Sequence, residues 1–181
     1  MKKLVYFTLI FLFISCLAIS QEKEQAKETE SYTAPAPLND DLMAWMIGEW
    51  KGKMVGPMGE TEEWLKYEYT LEKQFLMVSA TSKMGADWKY EGYGAITLKP
   101  ESMEMMGYWI DNMRGMYKGK GMREGDMIKM TWYGPQGKAT RMTKKLGNDK
   151  FVVIAQSTDP KGNPIESKGE FTRIKDLTSE Q

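Results

Sequence analysis

The segment Ile47-Gly48-Glu49-Trp50-Lys51-Gly52-Lys53-Met54-Val55 is the starting point for interpreting the chain. From Glu49 onward it alternates, with Trp50, Gly52 and Met54 on one side and charged residues on the other. This alternation is typical of a strand that has one face against a core and the other in water. The segment therefore predicts a half-buried strand that begins just after Gly48.

A short helix is expected immediately before this strand, over Leu38 to Ile47. Asn39 or Asp40 is suited to the N-cap, because a short polar side chain can accept a hydrogen bond from the first turn. Gly48 would let the chain turn from the helix end into the strand, since it has no side chain to clash there. We expect this short N-terminal helix to plug one end of a barrel. Its apolar contacts would come from Leu42, Met43, Trp45 and Met46.

The rest of the chain consists of short alternating segments separated by turn residues, for example at Gly134-Pro135-Gln136-Gly137. One such segment, Thr61 to Leu71, is followed by an expected two-residue connection at Glu72-Lys73. The pattern predicts an all-β fold of roughly ten antiparallel strands in a meander. Closure into a barrel would remove both exposed edges. Glycines within the strands are expected to serve the sharp bends of a small barrel; they include Gly52, Gly92, Gly94, Gly119 and Gly169.

The N-terminus predicts export. Lys2 and Lys3 precede an apolar run from Leu4 to Ile14, which matches a secretory signal and is too short for a transmembrane span. Cleavage after Ala18-Ile19-Ser20 would make residues 1–20 a signal peptide. Alternatively, Phe13-Ile14-Ser15-Cys16 resembles a lipobox in which Cys16 would be acylated. The expected location is the periplasm or the extracellular space, with a lipoprotein anchored in the membrane through Cys16 as the alternative.

The domain organisation follows from composition. Residues 21–37 are polar, end in Ala34-Pro35-Ala36-Pro37 and lack apolar periodicity, which predicts a disordered tether. Residues 38–175 form the predicted barrel domain, and residues 176–181 form a tail. A domain of about 150 residues can bury about 70% of its unfolded surface, enough to be stable without a disulfide.

Charge and residue types exclude several functions. The chain carries 25 basic and 25 acidic residues and contains no long basic block, so nucleic acid is not an expected partner. It has no histidine, and Cys16 is its only cysteine. These absences argue against catalytic triads, Cys–His pairs and zinc sites of the usual ligand type. We therefore expect a protein that is not an enzyme and that holds no metal or cofactor.

The motifs at the two ends of the domain resemble those of the lipocalin-like, or calycin, barrels. The shared features are Gly48-x-Trp50 after a short helix, ten meandering strands, and an arginine in the last strand, Arg173. The resemblance implies a lipocalin-like barrel in which the tryptophan packs at the closed end against the basic residue. It pairs Trp50 with Arg173 in a cation–π contact worth about 0.5–2 kcal/mol.

The chain is also similar to a family of bacterial secreted domains of unknown function within this group. The similarity lies in Gly48-x-Trp50, in Tyr90-Glu91-Gly92-Tyr93-Gly94 and in Trp109-Ile110-Asp111-Asn112-Met113. It extends from Leu38 to about Ile174 and implies a fold but no activity. A related group, the nitrobindin-like barrels, binds haem through a histidine. Because this chain has none, haem is not expected.

Three polar residues are candidates for a role at the barrel interior. Asp111 could lie at the mouth of the barrel, although a turn residue that caps its own backbone is the favoured interpretation. Glu63 and Arg141 could orient a ligand, but such residues more often belong to a solvated barrel face, which we expect here.

Eight methionines are concentrated in one third of the predicted barrel. They could fill the core, line an adaptable apolar pocket, or bind Cu(I) through their thioethers. The methionines are Met103, Met105, Met106, Met113, Met116, Met122, Met127 and Met130.

The leading hypothesis is an exported barrel that binds a small apolar or amphipathic ligand in its interior. Trp50 and Arg173 would close the barrel rather than touch the ligand. The alternatives are an envelope module with a filled barrel that works through contacts, a Cu(I)-binding protein, and an enzyme acting through Asp111. The predicted ligand-binding residues are Met54, Tyr67, Tyr69, Trp109, Met130 and Trp132, with Asp111 at the rim.

Overall fold

A computed structural model describes residues 34–99, 102–159 and 161–175. The predicted signal peptide 1–20, the tail 176–181 and Cys16 lie outside these residues, as does the predicted tether up to residue 33. The part of the tether that is described, residues 34–37, has no regular secondary structure.

The described chain contains one helix and ten strands. They are α1 Asp41–Met46, β1 Gly48–Gly56, β2 Gly59–Thr70, β3 Phe75–Met84, β4 Trp88–Leu98, β5 Glu104–Asp111, β6 Met116–Glu124, β7 Met127–Gly134, β8 Gly137–Lys145, β9 Lys150–Thr158 and β10 Pro164–Arg173.

The strands form one closed antiparallel ring in which each strand pairs with its neighbours in sequence. The ring closes where β1 pairs with β10, with Trp50 opposite Arg173 and Met54 opposite Gly169. The predicted ten-stranded antiparallel barrel is therefore confirmed. It has no open sheet edge, because the two strands that would have formed the edges pair with each other.

Helix α1 is shorter than the predicted Leu38–Ile47. Asp40 is its N-cap, and its carboxylate accepts a hydrogen bond from the Met43 N–H at 2.9 Å. The indole of Trp45 donates to the Asn148 carbonyl at 2.7 Å, which ties the helix to the β8–β9 connection. The helix adds Leu42, Met43 and Met46 to the same buried cluster as the inward residues of the strands.

The β2–β3 connection differs from the predicted two residues. It spans four residues, and Leu71, Glu72 and Lys73 all have positive φ, at 49°, 55° and 64°. Left-handed backbone costs L-residues about 1–2 kcal/mol each, so the segment needs support from its surroundings. Part of that support is visible: the Leu38 N–H donates to the Lys73 carbonyl at 2.9 Å. None of these residues is a glycine or an asparagine, so the sequence carried no turn signal here.

The pairing of Trp50 with Arg173 lies at the closure of the ring. The Arg173 guanidinium carbon is 4.1 Å from the centroid of the Trp50 ring, and Trp50 is fully buried. The Trp50 indole N–H donates to the Met46 carbonyl at 2.8 Å. Arg173 donates to the carbonyls of Ile47 and Trp45, both at 2.5 Å. One side chain of the last strand thus binds the helix end and covers the first tryptophan.

Gly48 is required beside this contact for two reasons. Its φ is +120°, a backbone conformation that L side chains rarely adopt. A Cβ at this position would lie 2.9 Å from Nη1 of Arg173. In the Gly-x-Trp motif, Gly48 therefore leaves room for the Arg173 guanidinium, and Trp50 provides the ring on which that guanidinium stacks.

Replacing Arg173 should destabilise the protein strongly. Arg173→Ala removes the cation–π contact and two charged hydrogen bonds, and it leaves the carbonyls of Trp45 and Ile47 without a partner. We expect a loss of about 3–5 kcal/mol in the free energy of unfolding. Urea unfolding followed by tryptophan fluorescence measures it.

Lys175→Ala is the matched control, because its exposed amine reaches the same Asp149 carboxylate that Arg173 approaches, at 4.0 Å. It should change stability by less than about 0.5 kcal/mol. A loss under about 1 kcal/mol for Arg173→Ala would show that the closure does not depend on this contact.

Candidate functional site

The barrel interior is part packed core and part cavity. The packed part contains the largest fully buried side chains, which include Trp50, Phe151, Phe171, Leu76 and Met105. The remaining part is a cavity of about 440 Å³ that is partly open to solvent. Met113, Gln136 and Lys138 are exposed members of its lining, and we call the part of the cavity that they and Asp111 line the mouth.

The cavity brings together five of the seven predicted ligand-binding residues: Tyr67, Trp109, Asp111, Met130 and Trp132. Their strands are far apart in sequence, and the closed ring turns these alternate residues inward. Their position at the cavity wall is a property of the structure, whereas their role in binding stays a prediction.

Met54 and Tyr69 are not part of the cavity wall. Met54 faces inward from β1 but is buried in the packed part, against the backbone of Gly169. Tyr69 is only partly buried, and its ring lies under the Lys73 amine at 5.8 Å, beside the β2–β3 connection. Strand parity correctly predicts that both side chains point inward, but it does not give their height in the barrel.

The Trp109 ring packs closely against the neighbouring strand β4, because β4 has a glycine there. A Cβ added at Gly92 would lie 2.6 Å from Cζ2 and 2.8 Å from Nε1 of Trp109. The indole therefore occupies the space that any other residue at Gly92 would fill. The glycine serves a close approach of a ring, in addition to any role in bending the strand.

Trp132 is accommodated in the same way on β6. A Cβ at Gly119 would lie 2.6 Å from Cζ3 of Trp132 and 2.9 Å from the Met130 methyl group. The centroids of Trp109 and Trp132 are 6.3 Å apart, with the rings tilted by 59°. Two large rings thus line the wall, and the lumen beside them stays open.

A chain of hydrogen bonds fixes the orientation of Trp109. Its indole N–H donates to the Tyr90 hydroxyl at 2.6 Å, and this hydroxyl is 3.5 Å from the carboxylate of Asp111. The other oxygen of Asp111 accepts from the N–H groups of Met113 and Gly115, at 3.0 and 2.7 Å. Asp111 therefore caps its own turn and also faces the cavity, so both sequence interpretations hold.

Glu63 and Arg141 form an ion pair inside the barrel, which corrects the expected solvated face. Arg141 Nη2 is 3.1 Å from Glu63 Oε2, and both residues line the cavity. Strands β2 and β8 are not neighbours in the ring, so the two side chains meet across the lumen. The guanidinium also lies 5.8 Å from the Phe171 ring. Sequence reasoning missed this pair, because the two residues are 78 positions apart.

Burial changes the acid–base behaviour of this wall. Loss of contact with water raises the pKa of Tyr67 to about 12, and the charge of Arg141 opposes this only in part. Burial likewise raises the pKa of Tyr90 to about 12, although the hydrogen bond from Trp109 acts in the other direction. Burial is the largest single effect on Arg141 and lowers its pKa, but the charge and hydrogen bond of Glu63 together with the nearby Tyr67 and Tyr90 outweigh it, and the pKa is raised. At neutral pH both phenols are protonated and the guanidinium is charged.

The eight methionines are divided between the interior and the outer surface. Core filling holds for Met105 and Met130, which are 2% and 4% exposed. Met113 is at the mouth, and Met130 lines the cavity. Because the set does not converge, a single Cu(I) site could use only a few of its members. Large exposed fractions are found for Met103, Met106, Met113, Met116 and Met122.

The described residues lack two features that would point to other kinds of site. In residues 34–99, 102–159 and 161–175, no three His, Cys, Asp or Glu side chains are grouped so that they could hold a metal ion. Within the same residues, no helix combines the length and the apolar character that a membrane span needs.

Comparison with known proteins identifies the fold. An S-type phycobiliprotein lyase, CPES, from Guillardia theta superposes with a TM-score of 0.55 at 8% identity, covering 77% of this chain and 93% of the lyase. The chain thus shares a barrel fold with this lyase, and an identity this low shows the fold alone.

Designed barrels are more distant matches. The structure of EF1p2_mFAP2b bound to DFHBI gives a TM-score of 0.48 at 12% identity, covering 72% of this chain and 95% of the other chain. The redesigned barrel mFAP1, also bound to DFHBI, gives 0.45 at 14% identity, covering 74% of this chain and all of the design. No protein-family model matches the chain, and no curated protein matches it. The similarity to bacterial secreted domains therefore stays a prediction.

Gly119→Ala should force Trp132 away from the wall and into the cavity. The added methyl group has no room beside the ring, so we expect a loss of about 1–3 kcal/mol in the free energy of unfolding. Trp132→Phe removes the ring that collides. The loss of unfolding free energy in the double variant Gly119→Ala/Trp132→Phe should therefore be smaller than the sum of the losses in the two single variants. Urea unfolding of all four proteins tests this, and strictly additive losses would contradict the contact.

The raised pKa of Tyr67 predicts a loss of stability at alkaline pH. The unfolded phenol ionises near pH 10, whereas the folded phenol ionises at about 12. The stability due to the neutral phenol is present below pH ~10 and is lost as the pH rises to ~12, by roughly 2–3 kcal/mol. Tyr67→Phe should make the fall of the unfolding free energy over this range less steep, with the part due to Tyr90 remaining. Tyr108→Phe, at an exposed outer position, should keep the original slope; equal slopes for both variants would contradict the prediction.

Proposed function

We propose that this protein is a non-enzymatic carrier that binds one small amphipathic molecule in the barrel cavity. The observation that carries the proposal is the open space of about 440 Å³ beside Trp109 and Trp132. This volume lies within the range of about 300–1,000 Å³ that is usual for small-molecule sites. A barrel kept only for its outer surface would have no need to leave such a space unfilled, which argues against the filled-barrel alternative.

The lining has the composition of a binding site. Aliphatic and aromatic side chains cover most of the wall, and a few polar groups converge on it. Such a wall gains affinity from apolar burial and gains orientation from the polar groups. The apolar lining includes Leu65, Val78, Ile96, Ile128, Met130 and the two tryptophans.

The polar groups support binding better than catalysis. One Asp111 oxygen is occupied by the N–H groups of its own turn. The pKa of Tyr90, at about 12, keeps this phenol protonated at neutral pH, which makes it a poor general base. The charge of Arg141 is paired with Glu63. These polar groups are engaged with one another or with the backbone, which favours a carrier over the enzyme acting through Asp111.

The proposal includes the route by which the protein leaves the cytoplasm. The apolar run that follows Lys2 and Lys3 supports export through residues 1–20, to the periplasm or the extracellular space. Acylation at Cys16 is the alternative, and it would hold the same barrel at a membrane. Mass spectrometry of the mature protein separates the two routes.

Ligand binding is tested by calorimetric titration of the full chain with fatty acids, retinoids and fused aromatic compounds. At least one class should bind with a stoichiometry of one. Trp132→Leu should weaken that binding by about tenfold or more, which corresponds to ~1.4 kcal/mol, because the ring forms part of the cavity wall.

Trp64→Leu is the matched control. Trp64 alternates with the inward residues of β2, and its ring lies between the amines of Lys51 and Lys83, at 4.9 and 5.4 Å. Its replacement should leave the affinity unchanged. Failure of every class to bind, or equal weakening by Trp64→Leu and Trp132→Leu, would overturn the proposal.

A further inference from the structure

We propose that the ligand carries an oxygen acceptor, a carboxylate or a carbonyl, that points at Arg141 and Tyr67. Its apolar body then lies along Trp109 and Trp132 toward the mouth. This inference rests on the proposed function, because it requires a ligand in the cavity. It adds the chemistry of the ligand's polar end and the direction in which the ligand lies.

Unused hydrogen-bond donors are the first line of support. A guanidinium has five N–H donors. Among the described residues, the Arg141 side chain has only one hydrogen-bond partner, Glu63, at 3.1 Å. Tyr67 is 5% exposed and lines the same cavity, and no described residue accepts from its hydroxyl. The phenol remains a donor at neutral pH because its pKa is about 12.

Two further hydroxyls add to this surplus. Ser82 and Thr143 are 6% and 8% exposed, and both line the cavity. Neither side chain has a hydrogen-bond partner in the part of the chain that the structure describes. Glu63 is the single carboxylate beside these groups. Within the described chain Glu63 Oε1 is also without a partner, but the donors that remain on Arg141 outnumber it, so the cluster favours an acceptor on the ligand.

Tyr90 and Asp111, the less exposed polar groups near the mouth, are already engaged, and this gives the direction. The Tyr90 hydroxyl accepts from Trp109 and approaches Asp111, and Asp111 accepts from two backbone N–H groups. A polar ligand head placed there would meet these satisfied groups or the exposed side chains of Gln136 and Lys138, whose contacts with water leave little to gain. The same head placed at Arg141 would meet unused donors, so the ligand's polar end should lie at the ion pair.

Energetics explain why such a pair would be kept inside the barrel. A buried ion pair seldom contributes net stability, since apolar residues of similar volume often do as well or better. The donors of Arg141 and Tyr67 reach the open cavity and are not buried without a partner. A ligand that covered them without accepting a hydrogen bond would lose about 1–3 kcal/mol for each donor. A ligand oxygen that accepts from Arg141 and Tyr67 avoids that loss. Phe171, beneath the guanidinium, limits its movement and pre-organises these donors.

The test is a matched series of naphthalene compounds titrated into the full chain by calorimetry. The series consists of naphthoic acid, its methyl ester, naphthylmethylamine and methylnaphthalene, which share one apolar body. We expect the acid and the ester to bind at least about tenfold more tightly than the amine and the hydrocarbon, as two or more acceptor contacts would give.

Two variants test whether the preference for the acid and the ester depends on the Glu63–Arg141 ion pair. Glu63→Gln/Arg141→Met removes both charges together, so no unpaired buried charge is left. It should reduce the affinity for the acid and the ester about tenfold and leave methylnaphthalene unchanged. Tyr67→Phe should act in the same direction but less strongly. The control is Lys150→Met/Glu170→Gln, an exposed ion pair between β9 and β10, which should change nothing.

Glu63→Gln alone separates the two kinds of acceptor. It removes a negative charge beside the ligand head, so it should strengthen the binding of the acid if the head is a carboxylate. It should leave the ester unchanged.

The outcomes separate this inference from the proposed function. If all four compounds bind equally well, or if the amine binds best, the inference is overturned and the carrier proposal stands. If none of the four binds, and the wider panel of fatty acids, retinoids and aromatics also fails, the carrier proposal itself is overturned. A head-group preference that survives in the Glu63→Gln/Arg141→Met variant also overturns the inference.

Discussion

The contact of Arg173 with Trp50 and the chain before it is the constraint on which the barrel depends. It lies where the first and last strands pair, and it joins three parts of the chain: the end of α1, the start of β1 and the end of β10. The β1–β10 pairing links strands from opposite ends of the domain and therefore costs the most chain entropy to form. The stacking of Arg173 on the buried Trp50 ring and the two hydrogen bonds from Arg173 to the chain before β1 offset part of that entropy cost.

In the closed barrel, the size of the lumen depends on which large inward side chains lie beside glycines. Trp109 lies on Gly92, and Trp132 lies on Gly119. If larger residues occupied the glycine positions, both rings would move into the lumen and fill the space that the ligand needs. The glycines and tryptophans therefore act as pairs, and the cavity depends on both members of each pair.

The sequence predicts the fold well because its evidence is local. Alternation and turn residues define the strands, and Gly48-x-Trp50 with Arg173 locates the closure. The site is predicted less completely. Parity distinguishes inward from outward residues, but it does not separate Met54, in the packed part, from Met130, at the cavity. The Glu63–Arg141 pair depends on contact across the lumen, which no local pattern encodes. The left-handed run at Leu71 is stabilised by tertiary contacts and lacks the usual turn residues.

The closed meander has a consequence for how the chain can be rearranged. Every strand pairs with its sequence neighbours, and the two terminal strands also pair with each other, so the hydrogen-bonded ring has no intrinsic beginning. The Ile174 N–H donates to the Glu49 carbonyl at 2.8 Å, which shows that the ends of the barrel sequence are adjacent. A circular permutant opened at a hairpin such as Gly134–Gly137, with a short linker between the old ends, would retain all ten strand pairings.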